Sequence, residues 1–246
     1  MANSMKVVAQ RAISNPQRCA LLASVLVLLL ITVRSAQAQT YTVLLNGQAN
    51  GNLVRDAAGN LYGVLGTTIL KLDTAGVVTN LVTFTQSGWG WGGRWMNGFG
   101  LNPDLVIDAG GNLYGTNPYA GLQNCYVSDS TGLVQVGCGI VFKLDSAGKV
   151  TALYSFQGAN TGPDGAFPRS GLIRDTAGNL YGSTSAGGLY NCTNPGDPVA
   201  HHCGTTFKLD ASGTETILFN WPASISALDA AGNLYGVRSP IRIQAG

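Results

Sequence analysis

Apolar and polar positions alternate in short runs along residues 171–219, and each run stops at a turn of small or polar residues. Gly171-Leu-Ile-Arg-Asp175 reads as a short apolar strand and Leu180-Tyr-Gly-Ser-Thr184 as its return. Between them, Asp175-Thr-Ala-Gly-Asn179 makes a turn in which Gly178 can take positive φ and the Asp175 carboxylate can accept backbone N–H groups. After a loop, Thr205-Thr-Phe-Lys-Leu209 puts Phe207 and Leu209 on one face and Lys208 on the other, the period-two pattern of a strand. Asp210-Ala-Ser-Gly213 repeats the turn chemistry. Thr214 to Phe219 is β-branched and aromatic and reads as a fourth strand. Four strands joined in this way predict a propeller blade.

The same pattern recurs. Asp-x-x-Gly-Asn-Leu-Tyr-Gly starts at Asp56, Asp108, Asp175 and Asp229, at spacings of 52, 67 and 54 residues. Lys-Leu-Asp-x-x-Gly-x-x-Thr follows the first three copies at Lys71, Lys143 and Lys208. Self-similarity at this period points to a solenoid, an array or a propeller. The expected fold is all-β, a β-propeller of four four-stranded blades, with no helix after the N-terminal leader. The blades fall at about 52–84, 104–156, 171–219 and 226–243. The last has a third strand at 241–243 and no fourth. Thr40–Gly47 matches the fourth strand Thr151–Gly158, so residues 40–46 can complete the last blade and close the ring, removing two sheet edges. The competing expectation is an open or dimerising fragment of a larger ring.

The N-terminal leader changes the charge balance. Lys6, Arg11 and Arg18 precede an apolar run, Cys19–Val33, and Ala36-Gln37-Ala38 supplies the small residues a signal peptidase reads. Residues 1–38 are expected to be a secretory signal peptide and 39–246 the propeller, secreted to the periplasm or the extracellular space. The run is short for a membrane anchor. Without the leader the chain holds ten basic and twelve acidic side chains. That sparse, weakly acidic body argues against nucleic acid and anionic lipid as partners, and no later run is apolar enough to span a membrane. No oligomeric state is specified.

Four cysteines follow the leader, an even number suited to an oxidising compartment. Of three connectivities, Cys125–Cys138 with Cys192–Cys203 is favoured, because each pair lies in the loop between the second and third strands of its own blade. His201 and His202 beside Cys203 suggest a metal alternative, but adjacent histidines do not easily face one ion, and the spacing matches no zinc pattern. No metal and no cofactor is expected.

Length varies only in the second-to-third and fourth-to-first loops, which emerge on one face of an up-and-down blade. Binding residues favour such loops. Ser87–Gly98 carries Trp89, Trp91 and Trp95, spaced by glycine, as a candidate platform for a sugar ring or cation. The alternative is that these indoles cover a blade interface. Catalytic supply is thin. Glu215 is the one glutamate, and the aspartates at 56, 108, 175, 229, 73, 145 and 210 sit at turn positions. Asp104, Asp129, Asp164 and Asp197 lie outside the pattern, and no nucleophile elbow, phosphate loop or metal triad is present. No catalytic residue is assigned.

The stretch Gly139-Ile-Val-Phe-Lys-Leu-Asp145 through Pro163-Asp-Gly-Ala-Phe-Pro-Arg-Ser-Gly-Leu-Ile-Arg-Asp-Thr-Ala-Gly-Asn-Leu-Tyr-Gly182 resembles the GloVer tandem repeat of exported bacterial proteins, named for Gloeobacter and Verrucomicrobia. That resemblance covers nearly all of the chain after the leader and implies export without an assigned activity. More loosely, Asp-x-x-Gly-Asn-Leu-Tyr is similar to the first hairpin of NHL and streptogramin-lyase-type propellers. The expected function is a non-catalytic binding or structural module, its partner a glycan, a cell-envelope component or another extracellular protein. The alternative is an extracellular lyase or hydrolase acting on a polysaccharide or cell-wall substrate.

Overall fold

Each Asp-x-x-Gly-Asn segment closes a hairpin with the same two backbone bonds. The Asp175 N–H donates to the Asn179 carbonyl (3.0 Å) and the Gly178 N–H to the Asp175 carbonyl (3.1 Å), and the other three copies match. Gly178 has φ +91°, as only glycine takes readily. A computed structural model describes residues 50–84, 101–129, 132–158, 163–189, 191–193, 201–238 and 242–243. They belong to one compact unit, Leu45–Gly246. The leader 1–38 and the closing strand expected at 40–46 lie outside the described residues.

The first repeat is a four-stranded antiparallel meander: β1 (Asn50–Arg55), β2 (Leu61–Leu65), β3 (Thr68–Leu72) and β4 (Val78–Thr83). The second begins with β5 (Val106–Ile107) and β6 (Leu113–Asn117). A separate hairpin, β7 (Cys125–Asp129) and β8 (Gly132–Val136), is inserted before β9 (Ile140–Leu144) and β10 (Val150–Ser155) complete the sheet. The third contains β11 (Ala166–Pro168), β12 (Ile173–Arg174) and β13 (Leu180–Ala186). A small hairpin, β14 (Asn191–Thr193) and β15 (His201–His202), precedes β16 (Thr206–Leu209) and β17 (Glu215–Phe219). β11 and β12 pair with opposite ends of the long β13, which makes this a five-stranded sheet. The last repeat is a hairpin, β18 (Ala223–Leu228) with β19 (Leu234–Arg238), and the terminal β20 (Arg242–Ile243) follows. No helix occurs among the described residues.

The expected third strand of the last blade is placed differently. β20 pairs antiparallel with β14 of the third repeat, Cys192 opposite Ile243 and Thr193 opposite Arg242. The sequence contains a reason: the last repeat lacks the Lys-Leu-Asp-x-x-Gly unit that carries the third strand in the other three. Tyr235 and Val237 on β19 are accordingly 54% and 70% exposed.

Strand alternation builds the core between blades. On β9, Ile140, Phe142 and Leu144 point to one side and join Val64, Ile69 and Phe84 of the first blade. Val141 points to the other side and joins Phe156, Phe207 and Leu209, where the second blade meets the third. The sheet of the second repeat thus serves two cores, the face-to-face packing of propeller blades. The Leu-Tyr-Gly glycine belongs to this packing. Gly115 lies opposite Phe142, and Gly182 opposite Phe207. A Cβ at either glycine would stand 2.7 Å from the phenyl Cζ. Gly182→Ala is expected to cost about 1–3 kcal/mol through this overlap, measured by denaturant unfolding.

Candidate functional site

The first strands of all four repeats converge on a cavity of about 900 Å³. Val54 of β1, Val106 and Ile107 of β5, Ile173 and Arg174 of β12, and Ser226 to Leu228 of β18 line it. Leu172 and the turns Asp175–Thr176 and Asp229–Gly232 complete the wall. Convergence of one strand from every repeat is how inner strands surround a propeller axis. The lining is mostly aliphatic, with hydroxyls at Thr176 and Ser226 and one guanidinium. Arg174 is held with its Cζ 5.6 Å from the centroid of the Tyr114 ring of the preceding blade. Its Nε is buried and has no hydrogen-bond partner among the described residues.

The cavity's two carboxylates are occupied by their own turns. Asp175 Oδ1 accepts the Asn179 N–H (2.8 Å), and Oδ2 accepts the Asn179 amide (2.6 Å) and the Tyr181 hydroxyl (3.0 Å). Asp229 repeats the set with Asn233 and Tyr235. So do Asp56 with Asn60 and Tyr62, and Asp108 with Asn112 and Tyr114. Burial pushes the Asp175 carboxyl up, but the Asn179 side chain and N–H and the Tyr181 hydroxyl outweigh it and leave the group below its ordinary value. Asp229, led by its Asn233 hydrogen bonds, is lowered as well. Asp175→Ala strands the Tyr181 hydroxyl and two donors of Asn179. The expected cost is about 1–2 kcal/mol in a thermal or denaturant melt.

A second polar cluster joins the second and third blades. Asp164, 6% exposed, accepts the Tyr154 hydroxyl (2.8 Å) and the Gln157 N–H (2.9 Å) on Oδ2. Burial first, and then the Asp164 charge, raise the Glu215 carboxyl to about 7. The same burial, the Asp164 hydrogen bond and charge, and the Glu215 charge push the Tyr154 phenol up. A carboxyl raised on folding holds its proton longer in the folded state, so stability should fall as pH rises from about 4.5 to 7. The turn aspartates, lowered on folding, contribute the opposite limb, a loss as pH falls below 3.8. Chemical denaturation across that range in chelator reads both limbs, and Glu215→Gln should flatten the upper one. In the sequence Asp164 stands outside the recurrent turn pattern and Glu215 is the one glutamate, and nothing there links the two. Pro-Asp-Gly does form a turn, and only the distant Tyr154 reveals its burial.

The other expected site residues are distributed as follows. Trp89, Trp91 and Trp95 lie outside the described residues. Cys125 and Cys138 are joined by a disulfide with Cα atoms 5.2 Å apart, a bond that suits an oxidising setting. Cys203 is disulfide-bonded; the side chain of Cys192 lies outside the described residues. His201 and His202 form β15 opposite Cys192 and Asn191. Among the described residues, no group of three or more His, Cys, Asp or Glu side chains is placed to hold a metal ion. No helix there is long and apolar enough to cross a membrane.

No protein-family model matches the chain, and no curated protein matches it. Solved structures resemble it at low identity. A streptogramin B lyase aligns at 14% identity and TM-score 0.44, over 82% of this chain and 58% of its own. A structural-genomics target assigned as a gluconolactonase aligns at 15% and 0.41, over 79% and 59%. A gluconolactonase from Xanthomonas campestris aligns at 19% and 0.33, over 81% and 73%. This chain therefore spans less than two thirds of the first two structures it resembles.

Proposed function

We propose that this chain is an exported, non-catalytic binding module whose ligand enters the cavity between the four first strands. The observation that carries this reading is the cavity wall itself. Aliphatic side chains supply contact area, and Arg174, Thr176 and Ser226 supply a few polar groups, the composition of a small-molecule or glycan pocket. Export rests on the leader and on the Cys125–Cys138 bond. A glycan or a cell-envelope fragment is the proposed ligand class, with Trp89, Trp91 and Trp95 as its proposed contacts on the loop face.

A lyase or hydrolase would need a free acid or base in that cavity. Asp175 and Asp229 are a poor supply, since each already accepts from an asparagine, a tyrosine and the backbone. A carboxyl held below its ordinary value is also a weak base near neutrality. The test is a glycan array followed by titration of the best binder against two variants. Ala227→Trp, which adds an indole to the cavity wall, should weaken binding more than tenfold with β-sheet circular dichroism unchanged. If alanine at Trp89, Trp91 and Trp95 abolishes binding while Ala227→Trp does not, the loop face replaces the cavity as the site.

A further inference from the structure

We propose that the cavity between the first strands takes a ligand that carries an oxyanion, a carboxylate or a phosphate group, and that Arg174 is its anchor. This rests on reading the cavity as a binding site and names what enters it. Arg174 is the one cationic side chain of the wall among the described residues. It is held in place from two sides. Its Cζ stands 5.6 Å from the centroid of the Tyr114 ring. That ring is fixed in turn, because Tyr114 is 9% exposed and donates its hydroxyl to Asp108 Oδ2 (3.0 Å). On the other side the guanidinium lies against the turn of its own blade, where Nη2 would stand 3.2 Å from a Cβ at Gly178. A cation fixed before the ligand arrives gives up little freedom on binding.

The Tyr114 ring steadies the charge but leaves the planar fork of N–H donors unsaturated. Nε is buried without a hydrogen-bond partner among the described residues. A buried donor of this kind costs free energy until an acceptor meets it. The edge formed by Nε and one terminal nitrogen matches two oxygens of a carboxylate or phosphate. The acidic side chains nearby do not already fill that role. Asp108, Asp175 and Asp229 accept from asparagine and tyrosine side chains and from backbone N–H groups. Those donors also offset the Asp175 and Asp229 charges that an incoming anion meets on the same wall. Arg55 supplies an internal contrast. It holds the same place in its repeat and lies over Gly59 in the same way, with Nη2 3.1 Å from a Cβ there. Arg55 is exposed, however, and is not part of the cavity wall.

Calorimetric titration with D-glucuronate, D-glucose 6-phosphate and D-glucose tests this, because the three differ only at the sixth carbon. At least one of the two acids should bind about tenfold or more tightly than glucose, and which one does so tells a carboxylate from a phosphate. Arg174→Gln should erase that preference and Arg55→Gln should keep it. Arg174→Lys, which retains the charge without the fork, should restore only part. Added sodium chloride gives a reading that needs no variant, since it should weaken the acid and leave glucose unchanged. Glucose bound as tightly as both acids, with Ala227→Trp weakening all three, would overturn the anion preference and leave the cavity as the site. An acid preference that survives in folded Arg174→Gln would overturn the anchor alone. An acid preference that survives Ala227→Trp, or no binding of any of the three, would overturn the inference and the cavity reading together.

Discussion

Phe156→Ala should destabilise the protein by about 3–5 kcal/mol, the range for removing a buried phenyl group. Phe156 has no exposed surface and belongs to the core where the second and third blades meet. Its ring lies edge-on to Phe207 at 5.3 Å and to Tyr154 at 5.1 Å. Its N–H donates to the Gly139 carbonyl (3.0 Å), so the backbone is tied to the end of β9 and cannot move in to fill the space. A site that cannot collapse keeps its cavity, which puts the cost toward the upper end. Because the blades are coupled through this core, unfolding followed by tryptophan fluorescence and by far-ultraviolet circular dichroism should remain one transition with an earlier midpoint. Two separated transitions would mean that the blades unfold independently and that the shared core does not couple them.

Local chemistry made most of the blade architecture readable. Asp and Gly at this fixed spacing favour a tight turn, and all seven such segments form one. The alternation in Thr205–Leu209 likewise marks its buried face, and Phe207 and Leu209 are 1% exposed. What escaped was set at a distance. Residues 116–139 read as a loop, yet Cys125–Asp129 and Gly132–Val136 pair as a hairpin, whose inner side rests Val127 and Val134 on the second core. β11 forms because β13 runs past β12 and offers a free ladder to Ala166 and Pro168. The Asp164–Glu215 pair was invisible for the same reason. Glu215 is one residue past a standard turn, and nothing near it in sequence indicates that the Asp164 charge will act on it.

Breaking the Cys125–Cys138 bond, as Cys125→Ala with Cys138→Ala, should cost about 3 kcal/mol in the chain-entropy picture for a separation of 13 residues. The bond staples the base of the inserted β7–β8 hairpin and is itself core, with Cys125 4% and Cys138 0% exposed. Gly158 approaches so closely that a Cβ there would stand 2.6 Å from the Cys138 Sγ and 2.8 Å from the Cys125 Sγ. The sulfurs therefore fill space beneath the exit from β10 as well as closing a loop. The Phe167 N–H donates to the Cys138 carbonyl (2.7 Å), which joins the staple to β11 of the next blade. Alanine is the better replacement because a serine hydroxyl would be buried among apolar neighbours. Two effects then separate by experiment. If loop entropy dominates, the single variant Cys125→Ala, which breaks the bond and keeps the Cys138 sulfur, and the double alanine variant should lose similar stability. If packing dominates, the double variant should lose more, because it also removes the fully buried Cys138 sulfur. A double variant as stable as the oxidised protein would mean that the β7–β8 hairpin is held by its ladder and by Val127 and Val134 alone.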